Sequence, residues 1–157
     1  MGIVLFFFAA AGLLAAEPDL SGTWRLNPDK SDFGSAPRPG AVVTRIRQQA
    51  GELAAESTVS GRVSQYRWTL DGKESVNVIG GNEVKAVAGW RGPILQVRSK
   101  VTAQGRALSM TDQYSLSADG REMTVFRTIS GPQGEVEQRY VYDKDPRAKS
   151  GCFFGPV

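Results

Sequence analysis

Histidine is absent from the 157 residues. That removes the commonest general base and the commonest metal ligand, and it excludes any Ser-His-Asp or Cys-His catalytic site. Cysteine occurs once, at Cys152, so no internal disulfide can form, and the residue reads as a lone thiol near the C-terminus. An excess of charge of either sign is lacking as well. The 19 Lys and Arg against 16 Asp and Glu leave a formal charge of +3, and the cations are dispersed along the chain, which offers no patch for nucleic acid. No nucleophile motif, phosphate loop or metal-ligand cluster is present. Asp71, Asp119 and Asp143 fall at turns or strand ends, where Asp bonds local backbone. Glu135 and Glu137 alternate on one strand as on a solvated face. The expectation is a non-enzymatic protein without catalytic residues, metal or cofactor.

What is present begins with an apolar run, Ile3 to Ala16, too short to span a bilayer and ending in small residues before Glu17. It reads as a signal peptide over residues 1–16. A secreted or periplasmic protein with no stable membrane insertion follows, a retained anchor being the alternative. A monomer is expected.

From Leu20 the chain breaks into short segments of alternating apolar and polar residues, punctuated by Gly, Asp-Gly or Gly-Pro at intervals of about ten residues. Strands are expected over 20–27, 42–49, 52–59, 62–71, 74–79, 82–90, 94–103, about 106–116, 122–130 and 135–144. Period two is plainest in RVSQYRWTLD, where Tyr66, Trp68 and Leu70 alternate with Gln65, Arg67 and Thr69. Asp71-Gly72 carries the strongest signal for a two-residue hairpin. No sustained helical period occurs after the leader, and residues 28–40 have room for one or two helical turns, with Asn27 as cap and Pro28 in the first position. Ten consecutive strands leave exposed edges unless the sheet closes, so the expected fold is all-β, an up-and-down antiparallel β-barrel of about ten strands over residues 20–144, with a two-sheet sandwich as the alternative. Residues 145–157 show no periodicity and read as a disordered tail, although Phe153 and Phe154 would suit one end of a barrel.

Gly22-Thr23-Trp24 on the first strand and the ending RYVYDK make a pair of motifs. With the ten-strand layout they resemble the calycin superfamily: the lipocalins, with Gly-x-Trp on the first strand, and the fatty-acid-binding proteins, whose first and last strands read like GTWRL and VYDK. LSGTWRLNPDKSDFG also looks like the opening of secreted bacterial lipocalin-like proteins. The resemblance implies a barrel around an apolar cavity that binds a fatty acid or similar lipophile non-covalently. It also implies that Trp24 closes one end. Two departures stand out: the connection after strand one is too short for a helical lid, and Tyr140 occupies the place of the arginine in the family's Arg-x-Tyr carboxylate grip, leaving Tyr142 to match the tyrosine.

A lipophile cavity is lined by apolar and aromatic groups with a few convergent polar ones. The expected ligand-binding residues are Tyr66, Trp68, Trp90, Met110, Tyr114, Arg127 and Tyr142; Trp24 and Met123 share their inward pattern, and all of these also suit plain core packing. Arg127 shares a face with Met123, Val125 and Ile129, whereas Phe126 lies with Thr124 and Thr128. Either face could be the interior. Arg67, Arg98 and Arg139 alternate away from apolar neighbours, as on a solvated outer face. The alternative function is a ligand-free envelope structural or protein-interaction module.

Overall fold

The computed structural model describes residues 17–103 and 105–147. The expected leader, Cys152, Phe153 and Phe154 lie outside the described residues. Ten strands follow one another: β1 (Gly22–Leu26), β2 (Val42–Gln49), β3 (Glu52–Val59), β4 (Arg62–Thr69), β5 (Asp71–Ile79), β6 (Asn82–Arg91), β7 (Ile94–Ala103), β8 (Arg106–Leu116), β9 (Glu122–Gly131) and β10 (Gly134–Lys144). They form one antiparallel sheet in the order β4-β3-β2-β1-β10-β9-β8-β7-β6-β5. The β1–β10 ladder, with Trp24 opposite Lys144 and Leu26 opposite Tyr142, joins the two halves of the chain. The sheet thus curls into a nearly closed calycin-like barrel.

Alternation decides which face turns inward. On β6 the buried positions are Val84, Ala86 and Ala88; on β7 they are Leu95, Val97 and Ser99. Small residues at Ala55, Ala86 and Ala88 stand in the same core as Trp24, Trp68 and Leu53, so large and small side chains interleave as a barrel interior requires. Leu20 and Trp24 are fully buried. The indole Nε1 of Trp24 donates to the Leu20 carbonyl at 2.9 Å. The Lys144 ammonium sits 5.1 Å from the centre of its ring. Gly22, at φ +144°, gives the lysine room: a Cβ there would come within 2.8 Å of Lys144 Cε.

Strand one is shorter than the expected 20–27, because Leu20 and Asn27 are held by other partners. The Leu20 amide donates to Gln48 Oε1, and Asn27 Oδ1 accepts from the amides of Asp29 and Lys30. Asn27 thereby fastens a turn, and no helix forms. The chain then bridges to β10 through paired backbone bonds of 2.7 Å between Asp32 and Arg139. Val141 is buried on the outer side of β10; its carbonyl accepts from the Asn27 amide and its amide donates to Ser31 Oγ, so this connection holds it from outside. At the other end of the chain the expected tail is anchored at its start: the Asp145 amide donates to the Thr23 carbonyl, and its carboxylate pairs with Arg25.

The Asp71-Gly72 hairpin does not form. Gly72 does take positive φ, +78°, and the Lys73 amide bonds Asp71 Oδ1, but no backbone ladder forms behind the turn. Leu70 bonds Gly51, β5 pairs with β6 across an irregularity between Asp71 and Glu74, and β4 and β5 share no backbone ladder. Side chains span this seam. Asn77 Oδ1 accepts from the Arg67 amide at 2.8 Å and its Nδ2 donates to the Arg67 carbonyl at 3.0 Å, while Ser75 Oγ accepts from the Thr69 amide. Asn77 imitates one rung of a ladder. Asn77→Ala is therefore expected to cost about 1–2 kcal/mol, two neutral hydrogen bonds at a partly exposed site. Urea denaturation gives the cost, and faster hydrogen exchange at the Arg67 amide locates it; unchanged exchange there would deny the seam its side-chain rung.

Candidate functional site

The inward faces leave a cavity of about 510 Å³ inside the barrel. Tyr66 and Trp68 reach it from β4, Met110, Asp112 and Tyr114 from β8, Met123, Val125 and Arg127 from β9, and Tyr140 and Tyr142 from β10. Phe33, Ala36, Pro37 and Pro39 close over it from the connection between β1 and β2, where a helical lid would stand in the fatty-acid-binding layout. The strap is fixed at one point by Phe33, whose ring meets Tyr140 edge-on at 5.5 Å and whose carbonyl accepts from Gln138 Nε2.

Aromatic contacts continue along the wall. Tyr66 and Trp68 are 4.8 Å apart between ring centres, and Trp68 meets Tyr114 edge-on at 5.9 Å. Burial pushes the Tyr66 and Tyr114 phenols well above the ordinary tyrosine value, and burial likewise pushes Tyr142 up to about 12. All three hydroxyls therefore stay protonated near neutral pH and can donate.

Arg127 settles the inward face of β9. Phe126 is 53% exposed, while Met123 and Val125 are buried, so the set containing Arg127 faces the interior. It stands in register with Asp112. Nε donates to Oδ1 at 2.7 Å and Nη2 to Oδ2 at 2.8 Å, a bidentate pair. The guanidinium also lies 5.3 Å from the centre of the Tyr140 ring. Burial works against its charge, but the hydrogen bonds and charge of Asp112 prevail and raise its pKa further.

Of the seven residues expected to bind a ligand, Tyr66, Trp68, Met110, Tyr114, Arg127 and Tyr142 lie on this wall, and Trp90 does not. Asn82 and Val84, at the start of β6, do line the cavity; Trp90, at its far end opposite Leu95, packs against the core instead. Its indole Nε1 is buried without a partner. Arg67, Arg98 and Arg139 are exposed. Asp112 had escaped the sequence reading, although it sits midway between Met110 and Tyr114 in the inward period of β8. Among the described residues no three Cys, Asp or Glu side chains gather as metal ligands.

An all-β, nearly closed barrel around an aromatic-lined cavity is the calycin architecture. No protein-family model matches the sequence, and no curated protein matches it. Solved structures share the fold. An abundant heat soluble (SAHS) protein of Ramazzottius varieornatus superposes with a TM-score of 0.64 at 14% identity, covering 83% of this chain and 98% of that one. Zebrafish ileal bile acid-binding protein, complexed with cholic acid, gives 0.60 at 18% identity over 80% of this chain and 98% of its own. The REP1-NXSQ fatty acid transporter gives 0.62 at 12% identity over 82% and 98%.

Proposed function

We propose that this protein is an exported, monomeric, non-enzymatic carrier that binds a small hydrophobic ligand non-covalently inside the barrel. The observation that carries the reading is the cavity: about 510 Å³, within the range of small-molecule sites, and lined mainly by aromatic and aliphatic side chains, with hydroxyl and amide groups and the Asp112–Arg127 pair among them. Barrels of the same fold that bind a bile acid or transport fatty acids support it. Tyr66, Trp68, Met110, Tyr114 and Tyr142 would hold the apolar body, and Arg127 would stand near the polar end. The apolar run from Ile3 to Ala16, ending in small residues before Glu17, supports export to the periplasm or medium.

Nile red, a neutral lipophilic dye, is expected to bind saturably at one site per chain with a change in tryptophan fluorescence. Ser99, 8% exposed and on the cavity wall, provides the localising control. Ser99→Phe fills the space and should weaken the dye by about tenfold or more, equivalent to about 1.4 kcal/mol. Undiminished binding to that variant would place the dye elsewhere.

A second reading, a ligand-free envelope structural or interaction module, draws on the seam. Val63, Val76 and Val78, on the two strands flanking it, are 58%, 56% and 70% exposed. Absence of any saturable dye site, together with recovery of a stable envelope partner, would favour it.

A further inference from the structure

The cavity's own charges bear on what polar head a ligand can carry, an inference that rests on the carrier reading above. Among the described lining residues only Asp112 and Arg127 are charged, and they already satisfy each other. Two of the five guanidinium N–H donors are engaged by the two oxygens of one carboxylate. Asp112 is only 5% exposed. A ligand carboxylate brought to Arg127 would therefore meet a second carboxylate at the same cation. Shared, the three groups hold a net negative charge in a poorly solvated space, where like charges repel strongly. If the ligand instead displaced Asp112, it would leave that group buried and unpaired. An amine meets the mirror-image obstacle in Arg127.

An uncharged head group meets neither. The guanidinium keeps three N–H donors beyond those given to Asp112, and the hydroxyls of Tyr66, Tyr114 and Tyr142, all on the wall, are protonated donors. Hydroxyl and carbonyl oxygens can accept from these without adding charge. We infer that the cavity selects an uncharged lipophile carrying a hydroxyl or carbonyl head and discriminates against the carboxylate of the same chain length.

Displacement of Nile red from the full chain by hexadecanol, methyl hexadecanoate and hexadecanoate tests this, at a pH of about 8 where the acid is ionised. The alcohol and the ester are expected to displace the dye at concentrations at least about tenfold below the acid. Asp112→Asn keeps the shape and one acceptor for Arg127 while removing the negative charge; it should tighten hexadecanoate by about tenfold and change hexadecanol by less than about threefold. Circular dichroism checks that the variant folds, and if it does not, the ranking on the unaltered chain decides by itself. Hexadecanoate binding as tightly as hexadecanol to the unaltered chain would overturn the head-group preference while leaving the carrier reading intact. Failure of the dye and all three lipids to bind would overturn both.

Discussion

Trp24→Ala is expected to cost about 3–5 kcal/mol, the range for emptying a large aromatic site in a core that cannot collapse around it. The indole is fully buried beside Leu20, between a ladder to β10 on one side and to β2 on the other. Lys144 lies over its ring. Against a total stability of about 5–15 kcal/mol for a domain of this size, such a loss removes about a fifth of the margin or more. Trp24→Phe separates two contributions. It keeps most of the bulk but deprives the Leu20 carbonyl of its 2.9 Å donor, and about 1–2 kcal/mol is expected from that bond and the small remaining void. Urea denaturation of both variants measures the pair of values. Equal costs for Phe and Ala would assign the stability to the hydrogen bond and not to the bulk. Because Trp24 does not line the cavity, Nile red affinity of the folded fraction should remain within about threefold of the parent in either variant.

Most of the barrel was legible because its strands are amphipathic at period two and its turns are marked by glycine. The expected and observed ranges coincide for β2, β3 and β7, each bounded by a glycine turn at one end or both. The seam was not legible for a specific reason. Positive φ at Gly72 is found whether or not a backbone ladder forms behind the turn, and whether β4 and β5 approach closely enough to pair depends on how the whole sheet curls, which neither segment's pattern contains. Trp90 shows the same limit along the barrel axis. Alternation places it inward with Ala86 and Ala88, but height along the axis depends on strand stagger, which no single strand's pattern contains.

β9 is the clearest case. One face carries three apolar residues, Met123, Val125 and Ile129, together with an arginine that is unfavourable inside without a partner; the other carries Phe126 between Thr124 and Thr128. The balance tips once the neighbour of Arg127 is known: Asp112 stands directly across the β8–β9 ladder, and the pair makes an inward arginine acceptable. Registration between strands is a non-local quantity, so the partner that justifies Arg127 could not be read from either segment alone. On the opposite face, exposure of Phe126 at 53% is the counterpart of that choice.

Arg127→Leu is expected to cost about 3 kcal/mol, the low end of the range for breaking a buried ion pair, because the Arg127 side chain is 31% exposed while the Asp112 side chain is 7% exposed. The loss comes mainly from the stranded carboxylate and less from the attraction removed. The double variant Asp112→Leu, Arg127→Leu should therefore recover most of it and lie within about 1 kcal/mol of the parent, since two apolar side chains at facing positions replace a pair whose desolvation offsets much of its attraction. Urea denaturation of the two single variants and the double completes the thermodynamic cycle. A double variant as unstable as Arg127→Leu would mean that the pair itself holds β8 to β9. Recovery would mean that the barrel folds as well without either charge, and a charged pair that adds little to folding has its consequence in the cavity it faces: a cation already neutralised, three donors still free, and no place for a second negative charge.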